Sequence, residues 1–203
     1  MEGSRKTLWL RVGTHLFGLA PLVALACAYA GDRLGPDRIG EATRWSGRLA
    51  VVFLLLSLTP TIVAKIFGLS TVLKARRALG LYAFAYAAIH FLIFVGLDYG
   101  FDLDLILLAI RDDRFILVGL GALIILTALA VTSTKGWMKR LGKNWKRLHR
   151  AVYVAGALAV WHYAWSFKEL RPTPVVCGAL LGLLLALRLP PVVRWTGRLR
   201  ARD

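Results

Sequence analysis

LHRAVYVAGALAVWH, residues 148–162, holds one histidine beside its first residue and another at its last, with no charge beyond Arg150. An ionisable side chain in so apolar a run is expensive in lipid unless a partner satisfies it. The chain around this run repeats its character. Of the 203 residues 58% are hydrophobic and the mean hydropathy is +0.61, against roughly 45–50% apolar in an ordinary soluble domain. Apolar blocks at 8–30, 47–64, 78–97, 115–131, 151–167 and 175–193 each approach the roughly 20 residues that cross a hydrocarbon core about 30 Å thick. The polar segments between them leave no room for a separate soluble domain. The sequence therefore predicts an all-α integral membrane protein, a six-transmembrane-helix bundle forming a single domain over 1–203.

A formal charge of +16 invites a nucleic-acid reading, because basic patches bind phosphate backbones. Its distribution along the chain points elsewhere. With six spans and a cytoplasmic N-terminus, the inner segments hold nineteen bases, from Arg5, Lys6 and Arg11 to Arg188, Arg194, Arg198, Arg200 and Arg202, against two acids, Glu2 and Asp203. The outer segments hold eight bases, including Arg33, Arg38, Lys168 and Arg171, against nine acids. Short loops with this asymmetry follow the positive-inside rule and put both termini in the cytoplasm. The charge serves topology and anionic lipid headgroups, and nucleic acid is excluded as a partner.

The opening MEGSRKTLWLRVGTHLFGLAPLVALACAYAG has a basic start and an Ala28-Tyr29-Ala30 end like a secretory signal. Its apolar run is long for a signal, and losing it would put the termini on opposite sides, so the span is expected to be retained. Cys27 and Cys177 are single and far apart in sequence, which suits apolar packing rather than metal binding. No phosphate-binding loop, zinc-protease or serine-hydrolase motif is present. The apolar blocks contain no carboxylate for a proton relay. Histidine is what remains.

There are four: His15, His90, His149 and His162. His90 lies 13 residues beyond Arg77, and His162 lies 13 beyond His149, about 20 Å along a helix in each case. Both spans run from inside to outside, so His90 and His162 should stand at matching heights in the outer half. Two neutral imidazoles at one height on neighbouring helices can clamp a haem iron from its two faces. A second haem at His149 is less simple. Thirteen residues turn an ideal helix so that His149 and His162 point about 140° apart, and stacking both groups in one groove needs a change of winding, expected near Gly156. The position opposite His149 is Arg77, which stays protonated and suits a haem propionate rather than iron. His15 is the other imidazole at a suitable depth for the inner site.

The segments TSTKGWMKRLGKNWKRLHRAVY (132–153), WHYAWSFK (161–168), RRALGLYAFAYAAIHF (76–91) and WLRVGTHLFGLAPL (9–22) together resemble the MsrQ (YedZ) family. The resemblance spans essentially the whole chain. It implies a ferric reductase-like transmembrane domain in which the third and fifth helices carry haem-ligating histidines. His90, His149 and His162 match those positions, and Arg77 departs from them. It further implies haem b, one group or two, and FMN as cofactors. The implied role is electron transport across a bacterial inner membrane to a periplasmic MsrP-type molybdopterin reductase that repairs methionine sulfoxide. Electrons would come from the quinone pool or a cytoplasmic flavin reductase, and the sulfoxide chemistry would belong to the partner. Two other classes stay open on the residues alone: a stand-alone ferric or quinone-coupled reductase of the same fold, and a haem-free channel or transporter with a histidine relay.

Overall fold

A computed structural model describes residues 2–167 and 171–188, and among these all regular structure is helical. Helix α1 (Glu2–Ala30) is followed by α2 (Arg38–Phe67), a 3-10 turn (Ser70–Lys74) and α3 (Ala75–Leu92), which runs on as a wider π-type turn (Ile93–Asp98). Helices α4 (Leu103–Asp112) and α5 (Phe115–Val131) come next. Short α6 (Lys135–Leu141) and α7 (Lys143–Leu148), a 3-10 turn (His149–Ala151), α8 (Val152–Trp165) and α9 (Pro172–Ala186) complete the described chain.

Among the described residues, three stretches are long and apolar enough to cross a membrane, Thr7–Ala30, Arg38–Phe67 and Ser70–Asp98; α4 and α5 make a fourth if their 111° bend is counted within one span. The fifth and sixth apolar blocks fall on α8 and α9. At 14 and 15 residues these are about 21–23 Å long, short of a full hydrocarbon core. Part of the sixth block, 189–193, lies outside the described residues, as do Lys168, Glu169 and the terminal bases from Arg194 onward.

Two hairpins make the core. Helix α2 packs along α3, and α5 packs along α8. Phe53, Leu54, Ala83, Tyr86, Leu126 and Ala155 interlock where the hairpins meet, and Ala83 and Ala155 have no exposed surface. Small residues at such crossings let helix backbones approach closely, which is how helices associate in lipid. A second cluster of Val51, Leu55 and Leu58 receives Cys177 and Leu181 of α9. Helix α1 lies against α3. Tyr86 donates to the Gly18 carbonyl at 2.7 Å, and a Cβ on Gly18 would run into the Tyr82 ring. Leu16, Ile124, Val154, Trp161 and Val175 stay exposed on the outward faces. So extensive an apolar exterior suits lipid rather than water.

Helix boundaries depart from the apolar blocks where polar residues set them. Asp37 caps α2 by accepting from the Gly40 N–H at 3.0 Å, so the helix starts nine residues before the apolar block and includes Arg44 and Arg48. The Arg44 guanidinium, helped by that N–H, holds the Asp37 carboxyl below the usual carboxylate range. Helix α4 falls between the third and fourth apolar blocks, where the sequence predicts a polar connection. Asp102 caps it through the N–H groups of Asp104 and Leu105, while Leu103, Leu105, Leu107 and Leu108 lie exposed. A short amphipathic helix lying across its neighbour is the form that rests in a membrane interface.

Candidate functional site

His90 sits in the last turn of α3 and His162 in the last turn of α8. Contacts of α3 with α5 and of α2 with α8 join the two hairpins and bring the two rings together. Their centroids are 6.0 Å apart and their planes make 75°. Each ring is fixed by its Nδ1, at 2.8 Å from the Thr43 carbonyl oxygen for His90 and 2.9 Å from that of Phe115 for His162. A carbonyl only accepts, so each Nδ1 carries the hydrogen, and a neutral imidazole in that tautomer keeps a free lone pair on Nε2. Phe115 also packs its ring against His162.

This spacing can be checked against coordination chemistry. Two metal–nitrogen bonds of about 2 Å, plus about 1 Å from each ring centre to its nitrogen, separate the centroids of two imidazoles on opposite sides of one metal by about 6 Å. Orientation of a ligating histidine through its other nitrogen is the usual outer-shell arrangement of metal sites. Gly47 and Gly119 stand against the two rings, and a Cβ on either would crowd His90 or His162. The residues present fit a metal held between two imidazoles.

His149 lies elsewhere. It stacks on Trp145 at 4.1 Å between centroids, and its Nε2 is 3.2 Å from the Thr132 hydroxyl. Trp145 in turn donates to the Thr132 carbonyl at 2.9 Å. His149 and Arg77 both line a cavity of about 480 Å³ at the other end of the hairpins, with Arg76, Lys146, Arg150 and Tyr153. Among the described residues, no carboxylate lines it. Arg77 and His149, expected from the sequence to stand opposite one another, line the same cavity. The change of winding between His149 and His162 is the 3-10 turn His149–Ala151; Gly156, where it was expected, is in regular helix against Leu181.

His15 is not among the cavity residues. Its Nδ1 lies 2.9 Å from the Tyr82 hydroxyl, on an exposed flank of α1. Residues that sequence reasoning missed are the two that supply carbonyl acceptors to the rings, Thr43 and Phe115, and the glycines four positions after them. Main-chain acceptors leave no side-chain signal, and a glycine in an apolar helix reads as packing.

Comparison with known proteins follows the same lines. Residues 43–160 match a family model described as the ferric reductase like transmembrane component. Over 185 residues, covering 91% of this chain and 89% of the relative, the chain is 42% identical to the protein-methionine-sulfoxide reductase heme-binding subunit MsrQ of Rhodospirillum rubrum. The matched segment holds the whole of the α2–α3 hairpin beyond its first turn, α5, and α8 as far as Val160, two residues before His162. With two-fifths of its residues shared along nine-tenths of its length, the chain belongs to the MsrQ family, within the ferric reductase-like transmembrane proteins.

Proposed function

We propose that this chain carries electrons across a bacterial inner membrane to a periplasmic methionine sulfoxide reductase of the MsrP type, with haem b held between His90 and His162. The observation that carries the reading is the facing pair of imidazoles, 6.0 Å apart and both anchored through Nδ1. Haem bound there would supply a one-electron carrier whose potential is set by its ligands, their hydrogen bonds and burial. The chain's own part is to hold two neutral imidazoles in place and to keep water away from them. The relative's description as a heme-binding subunit supports the choice of cofactor.

A second redox group belongs, on this reading, in the cavity at the other end. His149 offers an imidazole there, and Arg77 a fixed positive charge for an anionic arm such as a propionate. FMN is expected from the family, with electrons drawn from the quinone pool or a cytoplasmic flavin reductase. Six spans with both termini in the cytoplasm put the basic end inside, toward that donor, and the histidine pair outside, toward the partner. Reduction of methionine sulfoxide to the thioether consumes two electrons and two protons and releases water; on this reading that chemistry belongs to the partner and this chain delivers the electrons.

The test uses the full chain in detergent. Reduction should give the sharp visible bands of a low-spin haem, and adding the reductase subunit with methionine sulfoxide should reoxidise them. A colourless preparation overturns the reading. Reoxidation by a ferric chelate but not by the reductase subunit would also overturn it, in favour of a stand-alone reductase.

A further inference from the structure

The two sides of the histidine pair are built alike. Gly47, Leu54, Ala83 and His90 recur 72 positions later as Gly119, Leu126, Ala155 and His162, and at the same offset Thr43 corresponds to Phe115. Matched positions behave alike. Each histidine Nδ1 donates to the carbonyl 47 positions before it. Leu54 and Leu126 are both buried in one cluster, as are Ala83 and Ala155. Each glycine stands four residues after the accepting carbonyl and faces the ring that the carbonyl holds. A Cβ on Gly47 would lie 3.1 Å from Nδ1 and Cε1 of His90. On Gly119 it would lie 2.7 Å from Nδ1 and 2.8 Å from Cε1 of His162.

The spacing of carbonyl and glycine has a physical cause. In an α-helix the Cα–Cβ bond leans toward the N-terminus, and residues four apart lie over one another on one face. The side chain at a given position therefore shields the carbonyl four residues before it. With glycine there, that carbonyl is open to a donor from another helix while still serving its own helix. Thr43 and Phe115 are opened in this way, and His90 and His162 reach in.

We infer that α2–α3 and α5–α8 are two copies of one imidazole-presenting unit, in which Gly47 and Gly119 are positioning residues that aim the histidine Nε2 atoms at a shared iron. The inference rests on the haem reading above. It also accounts for the unequal ends of the molecule. The same offset relates Arg77 to His149, so at the basic end the two units present different groups, an arginine from one and an imidazole from the other. The units agree at the outer pair and part at the inner one.

The experiment compares Gly119→Ala, Gly47→Ala and a control, Gly121→Ala, whose Cβ would meet a Leu158 methyl at an ordinary 3.7 Å. Haem per protein and the low-spin to high-spin ratio are read on the full chain in membranes. Gly119→Ala should displace His162, weaken haem retention about tenfold or more and turn the remainder high-spin. Gly47→Ala, with its looser contact, should do the same to a smaller degree. Gly121→Ala should match wild type. Free imidazole added to Gly119→Ala should restore the low-spin bands, because a vacated coordination position accepts it and a merely loosened bundle does not. A wild-type spectrum from Gly119→Ala, an equal loss from Gly121→Ala, or no response to imidazole overturns the inference. If Gly119→Ala fails to accumulate, Gly47→Ala decides by the same readings. A wild-type chain without haem bands overturns the function itself, whatever the glycines do.

Discussion

His90 and His162 face one another across 6.0 Å, each tied by Nδ1 to a carbonyl on a different helix from its own. Four helices therefore define one pair of rings: α3 and α8 carry them, and α2 and α5 hold them. Without such partners two buried imidazoles would each forfeit about 1–3 kcal/mol of hydrogen bonding. The arrangement makes the two rings equivalent. Replacing either His90 or His162 by Ala should lower haem per protein about tenfold or more, and to similar extents. His15→Ala should leave it unchanged, since that ring bonds Tyr82 on an exposed flank. Pyridine haemochrome assays on protein that has reached the membrane check all three, and a wild-type haem content in His90→Ala would contradict the pairing.

The 75° between the ring planes makes a separate prediction. Parallel axial imidazoles split the iron d orbitals that share their symmetry, while crossed ones leave them nearly degenerate. The oxidised protein should therefore show the highly anisotropic low-spin resonance of crossed ligands. Low-temperature electron paramagnetic resonance on membranes reads this directly. A rhombic spectrum of parallel planes would mean that the carbonyls do not hold the rings once iron is bound.

How much of this was legible in the sequence follows from what leaves a side-chain trace. Equal 13-residue depths predicted that His90 and His162 would share a level, and the structure brings them together. Arg77 and His149 were likewise placed at one site, and both line the cavity. What escaped had no such trace. The Thr43 and Phe115 acceptors are main-chain atoms, and Gly119 differs from Gly121 only in what stands opposite. Helix α4 was hidden because its capping Asp102 and flanking acids looked like a loop. His15 has the right depth for the inner site, yet depth says nothing of azimuth, and Tyr82 lies on the side it faces.

At the basic end, Arg76, Arg77, Lys146 and Arg150 line the cavity with His149, and no acid does among the described residues. If a second haem is held there through His149, His149→Ala should lower the haem ratio while sparing the low-spin signal of the other pair. Arg77→Gln, which keeps the bulk and removes the charge, should weaken retention of that group without touching the first. Redox titration resolves the two populations. Simultaneous loss of both signals in His149→Ala would show that the cavity and the histidine pair are not separate sites.

Arg188 offers a test of stability rather than of cofactor binding. Just beyond α9, it donates to the Tyr153 hydroxyl at 2.6 Å and to the Leu58 carbonyl, joining α9 to α8 and α2, and its guanidinium lies over the Tyr153 ring at 5.1 Å. Bonds to a charged group are worth about 1.5–3 kcal/mol, and removing the donor leaves two acceptors to find other partners. Arg188→Ala should therefore destabilise the bundle by about 2 kcal/mol. Arg188→Lys keeps the charge but reaches only as a single point, and should recover part of that, because the fork geometry that serves both acceptors is lost. Thermal unfolding in detergent, followed by the exposure of Cys177, which is buried against α2, would rank the three proteins. An unchanged midpoint in Arg188→Ala would mean that α9 is held by its apolar face alone.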